Sequence, residues 1–149
     1  MAMDAIDTRI LRELERDGRV TNLQLAERVG LSASACLRRV QTLEASGVIK
    51  GYRAVLDRSQ LGAGMTVFVM VGLSGQLQRD SLAFERAMAA APEVLECHNV
   101  TGSIEYMLRV EVCDLAAYKH FHSDVLGTLA QVRSITSHVS LGSSKDLRA

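Results

Sequence analysis

The chain has 149 residues, 48% of them apolar, and its 17 Lys+Arg balance 17 Asp+Glu to a formal net charge of +0. That length fits one ordinary domain or two small ones, and that composition excludes a disordered chain. A balanced net charge names no partner, so any nucleic-acid surface must come from local sorting of charge. Cys36, Cys97 and Cys113 form an odd, scattered set without a CxxC pair, which argues against a disulfide framework and against a zinc site. No apolar run has the length of a membrane span, and Asp4 and Asp7 stand where an export signal would carry basic residues. The expectation is a cytoplasmic protein with no membrane partner.

The elements follow in chain order. Asp4 can cap a first helix whose Ile6, Ile10, Leu11 and Leu14 recur at helical spacing, with Gly18 as its stop. Thr21 with Gln24 reads as a capping box opening a second helix, with Leu25, Ala26 and Val29 on its inner face and Gly30 as its C-cap. Ser32 can cap a third helix that ends before Gly47. Two helices joined by a short glycine-bearing turn make a helix-turn-helix. The β-branched stretch Val48 to Val55 follows as a wing or a strand leading out. These residues, 1–56, are expected to form a winged helix-turn-helix domain, and the polar, glycine-bearing stretch 57–64 a linker.

Residues 65–149 change character. Met65 to Leu73 is nearly continuous apolar, a strand buried on both faces. Asp80 to Ala91 is helical, with Phe84, Ala87, Met88 and Ala91 on one side. Val94 to Val100 and Ile104 to Val112 read as strands, Asp114 caps another helix carrying Tyr118, Phe121, Val125 and Leu129, and Val132 to Leu141 is a last strand. The order βαββαβ predicts a ferredoxin-like domain, so the whole chain is α+β. Both helices of that fold cover one sheet face. The doubly apolar first strand therefore predicts self-association through the other.

Charge is sorted between the two halves. Residues 19–56 hold six basic side chains (Arg19, Arg28, Arg38, Arg39, Lys50, Arg53) against two acidic ones (Glu27, Glu44), a net of +4. Residues 58–149 hold eight basic and nine acidic, a net of −1. On the third helix Cys36, Val40 and Leu43 make the inner stripe, so Cys36 reads as a small core residue. Ser34, Arg38, Gln41, Thr42 and Ala45 lie outward. Arg pairs bidentately with guanine and Gln with adenine in the major groove, which makes Arg38 and Gln41 the base-reading candidates and Thr42 their neighbour. Arg39, nearer the flank, is assigned to phosphate, as are Ser32 and Ser34 through the helix N-terminus. Alone, Arg38 and Arg39 would read as a solvated surface. The capped helices, the glycine turn and the local charge together favour double-stranded DNA as the partner.

Val29-Gly30-Leu31-Ser32-Ala33-Ser34-Ala35-Cys36-Leu37-Arg38-Arg39-Val40, then Leu43-Glu44, Gly47-Val48-Ile49 and Gly51-Tyr52, resembles the DNA-binding half of the Lrp/AsnC feast/famine regulators. Glu96-Cys97-His98, Thr101-Gly102, Tyr106 and the Tyr118/Phe121 pair resemble the same family's effector and assembly half. The resemblance implies a transcriptional regulator that forms a homodimer, assembles dimers further, and answers to an amino acid. The turn at Thr101, Gly102 and Ser103 offers backbone N–H groups that can hold a carboxylate or can be only a tight connection. The family resemblance favours the first, with Glu105 pairing with the α-amino group at an inter-dimer site. Many family members carry Asp directly after the glycine and before the Tyr, where this chain has Ser103 and Glu105, so a different amino acid, or none, is expected.

Catalysis is not expected. His120 and His122, two apart on a helix, point to different sides and cannot share a metal ion, and no phosphate-binding glycine loop is present. No cofactor is implied. RNA binding through the ferredoxin-like sheet would need exposed aromatics with a basic surround, and Phe68 and Tyr106 lack one.

Overall fold

The computed structural model describes residues 3–75 and 77–146. The chain divides into two compact units, residues 1–55 and 56–149. In the first, three helices surround a small core: α1 (Ala5–Arg16), α2 (Asn22–Val29) and α3 (Ala33–Ala45). Asp4 caps α1 by accepting from the backbone N–H groups of Ile6 and Asp7. Thr21 and Gln24 close the capping box of α2, and Gly30 ends that helix at φ 75, a left-handed conformation that costs glycine least. Ile10, Leu25, Ala26, Val29, Cys36 and Leu43 are buried together, one apolar stripe from each helix.

The stretch Val48 to Val55, expected as a wing or a strand leading out, forms no strand among the described residues. Its composition favours extension, but a lone strand has no ladder partner for its backbone groups. Gly47, at φ 75, turns the chain out of α3, and the Ile49 N–H bonds back to the Leu43 carbonyl instead. The expected linker at 57–64 contains one 3-10 turn, Arg58–Leu61, capped by Asp57.

The second unit is a four-stranded antiparallel sheet of order β2-β3-β1-β4, from β1 (Met65–Leu73), β2 (Val94–Asn99), β3 (Tyr106–Val112) and β4 (Val132–Val139). Helices α4 (Gln78–Ala90) and α5 (Leu115–His120) lie between the strands in the βαββαβ order, and a π-helical turn, Phe121–Leu126, continues α5. Val67, Val69 and Val71 of β1 and Tyr106, Leu108, Val110 and Val112 of β3 are buried against Phe84, Met88, Tyr118, Phe121 and Leu126. Alternation sends Phe68 and Met107 to the other face, where each remains exposed. Two close approaches fix the strand ends: a Cβ on Gly64 would stand 2.3 Å from the Cys113 carbonyl oxygen, and one on Gly72 2.4 Å from the Ser134 hydroxyl.

Candidate functional site

The helix-turn-helix presents one outward face. The Leu31 N–H bonds to the Ala26 carbonyl, and Ser32 then caps α3 by accepting from Ala35 N–H at 3.3 Å. The Asn22 amide donates to the Ala33 carbonyl at 2.8 Å and ties the start of α2 to the first turn of α3. With Cys36 and Leu43 wholly buried, the helical period leaves Ser34, Arg38, Gln41 and Thr42 exposed. Thr42 folds its hydroxyl back to the Arg38 carbonyl at 2.8 Å. The Arg38 and Gln41 side chains enter no hydrogen bond or ion pair among the described residues, so both are free to meet a ligand. Ser32, by contrast, spends its hydroxyl on the cap and on a 3.3 Å contact with the Ser34 hydroxyl.

Arg39 has a different task from the one expected. Its Nη1 lies 2.8 Å from Asp4 Oδ2 and 2.7 Å from Asp7 Oδ1, so the guanidinium is held by two carboxylates of the start of α1. Asp7 is only 5% exposed. The hydrogen bond to Asp7, and then that to Asp4, push the Arg39 pKa further up and keep it charged. A side chain so committed is a poor phosphate ligand, because leaving would strand a buried carboxylate. The sequence carried the signal only in part: Asp4 reads as the cap of the first helix, which it also is.

In the second unit, residues 101–103 form the exposed turn between β2 and β3. The Val100 N–H bonds to the Glu105 carbonyl at 2.9 Å and closes it, and Gly102 at φ 126 takes a conformation that L side chains rarely adopt. Glu105 is half-buried. Its Oε2 accepts from the Leu73 N–H at 2.6 Å, and its own N–H donates to the Val71 carbonyl. One carboxylate oxygen therefore anchors the turn to the end of β1, and Oε1 has no hydrogen-bond partner among the described residues. Neighbouring Tyr106 is fully buried, stacks on Phe84 at 4.6 Å and donates its hydroxyl to Glu85 at 2.7 Å. His98 pairs with Glu96 at 3.0 Å on the strand leading into the turn.

A capped helix-turn-helix with an unengaged Arg and Gln on its outer face, followed by a separate βαββαβ unit, defines a DNA-binding transcriptional regulator with an appended ligand-binding domain. The comparisons agree for both units. Residues 3–50 match the winged helix-turn-helix DNA-binding family, and residues 66–149 match the Lrp/AsnC ligand binding domain. The leucine-responsive regulatory protein of Rhizobium meliloti is 43% identical over 144 residues, covering 97% of this chain and 92% of the relative. The Bkd operon transcriptional regulator of Pseudomonas aeruginosa is 44% identical over 141 residues, covering 95% and 92%. A transcriptional regulator of Neisseria meningitidis, crystallised as its L-Met complex, superposes with a TM-score of 0.93 at 34% identity, covering 97% of this chain and 94% of that one. The chain belongs to the Lrp/AsnC family of transcriptional regulators. No helix among the described residues is long and apolar enough to cross a membrane.

Proposed function

We propose that this regulator reads its operator through Ser34, Arg38, Gln41 and Thr42 of α3, and that an amino acid held at the 101–105 turn, between dimers, tunes its assembly. The first part is carried by one observation: Arg38 and Gln41 are the exposed, unengaged hydrogen-bonding side chains on the outer face of a helix fixed by its inner stripe. Replacing Arg38 with Ala should cost about 1 to 3 kcal/mol at one base pair of a selected operator and relax preference there. Wild-type affinity and preference in that variant would move base reading off α3.

The second part is supported by the exposed turn with its Gly102 geometry, by the free oxygen of Glu105, and by the L-Met complex of the Neisseria relative. The ligand's carboxylate would sit on the turn's N–H groups and its ammonium on Glu105, a charge-assisted pairing indifferent to the side chain. The ligand changes regulation only if it binds one assembly better than another. Sedimentation of wild type, Gly102→Val and Glu105→Gln with and without each common amino acid is the test. A shift that persists unchanged in both variants would place the ligand elsewhere. In this reading the chain works by binding and not by catalysis, in the cytoplasm where bacterial DNA lies.

A further inference from the structure

The ion triad of Arg39, Asp4 and Asp7 lies beside the helix that meets DNA, yet its own charge is wrong for attracting DNA. Two carboxylates against one guanidinium sum to −1, so the triad repels phosphate. Its geometry points inward: Asp4 accepts from Ile6 and Asp7 N–H groups at 2.9 and 2.8 Å, its own N–H reaches Asp7 Oδ2 at 3.3 Å, and the remaining oxygens take Arg39. The same two side chains therefore close the first turn of α1 and grip α3 next to Arg38. Apolar packing of α1 on this core comes from Ile10, wholly buried, with Ile6, Leu11 and Leu14 only partly buried around it. Such packing sets which face of α3 is buried but is non-directional, and a charge-assisted guanidinium contact fixes the finer rotation about its axis. The scale matters: at a side-chain radius of about 6 Å, a rotation of about 10° carries the Arg38 tip roughly 1 Å, beyond the ~0.5 Å that a preorganised polar site tolerates.

We propose that Asp4, Asp7 and Arg39 are positioning residues for operator reading, which set the rotation of α3 and so the aim of Arg38 and Gln41 without touching DNA. This rests on α3 being the reading helix. The expected effect on binding is opposite in sign to simple electrostatics. Removing a carboxylate from a DNA-binding surface should tighten binding to every sequence, but removing Asp4's charge should loosen binding to the operator.

The experiment uses the full chain, a duplex selected by the wild type from a random pool, an unrelated duplex, and a titration in salt. Asp4→Asn is the central variant, because Asn caps a helix as well as Asp and the residue is half-exposed. It should bind the selected duplex about 3- to 10-fold more weakly while holding or gaining affinity for the unrelated one, the size of one lost polar contact. Arg39→Gln should weaken selected binding at least as far with an unchanged salt slope, since a lost phosphate contact would lower that slope by about 0.9. Tighter binding of Asp4→Asn to both duplexes would overturn the proposal, as would a slope in Arg39→Gln reduced by about one contact. If Arg39→Gln does not fold, Asp4→Asn decides alone. Arg38→Ala is run alongside: a wild-type preference there would defeat the α3 reading itself, whereas a relaxed preference with Asp4→Asn behaving as a bare charge would defeat the positioning role only.

Discussion

Leu43→Ala separates the two units energetically. Leu43 is 0% exposed and lies at the centre of the helix-turn-helix core, with Ile10, Leu25, Val29 and Cys36. Truncating a Leu so placed costs about 2 to 5 kcal/mol, transfer and cavity together. The unit spans residues 1–55. At roughly 0.05 to 0.15 kcal/mol per residue, a unit of that size is worth about 3 to 8 kcal/mol in all. One substitution therefore removes much of its stability, and at about 4 to 8 °C per kcal/mol its melting transition should fall by roughly 8 to 40 °C. The βαββαβ unit has its own larger core, so scanning calorimetry should show one transition moving and the other holding, with operator binding lost at the lower temperature. Leu37→Ala, on the same helix but 46% exposed, is the control and should change stability by less than about 0.5 kcal/mol. Equal shifts of both transitions, or a Leu43→Ala shift no larger than the control's, would refute the reasoning.

What the sequence revealed here was whatever is written locally. Thr21 with Gln24, Gly30 and Ser32 state the helix-turn-helix in caps, because a cap satisfies backbone groups within three residues of itself. The alternation from Tyr106 to Val112 states a half-buried strand for the same reason. Local patterns fail where the deciding partner is distant or missing. Val48 to Val55 has a strand's composition without a strand to pair with. The π-helical turn after His120 depends on Gly127, where a Cβ would meet the Ser123 carbonyl oxygen at 2.7 Å, a constraint that no hydrophobic period records. Arg39 finds carboxylates 32 and 35 residues away, so its side chain reads from sequence as one more positive charge on a positive helix. Glu105 likewise reads as a polar-face residue until β1 delivers the Leu73 N–H to it, 32 residues distant in the chain. In each case the cap or the period was legible and the long-range closure was not.

Three further outcomes test other parts of the molecule. Tyr106→Phe keeps the ring stacked on Phe84 but removes the hydroxyl donated to Glu85, and should lower the stability of the βαββαβ unit by about 1 to 2 kcal/mol in a thermal melt. Asp4 is held below its ordinary value of 3.8, chiefly by the Asp7 N–H and then by Arg39. A depressed carboxylate stabilises above its unfolded pKa and loses that contribution as pH falls through the folded value, so acid melts of the wild type should fall faster below about pH 4 than those of Asp4→Asn. Parallel acid slopes in the two proteins would count against it. The last concerns assembly through the open sheet face. Phe68 remains 40% exposed and Met107 37%, although Val67, Val69 and Val71 of the first strand are buried on the opposite side. Phe68 lies across from Arg109 and His138, and Met70 across from Met107 and Thr136, so Phe68, Met70 and Met107 share one face that a second copy can cover, beside an Arg109 guanidinium already paired with Glu96, Glu111 and Asp146. Phe68→Glu puts a carboxylate at an exposed position of the single chain, which lets that chain remain folded while placing like charges together across a two-fold interface. Light scattering at micromolar concentration should then report the 16.2 kDa monomer, with binding reduced to single half-sites. A dimer's mass in that variant would show that the chains associate through a different surface.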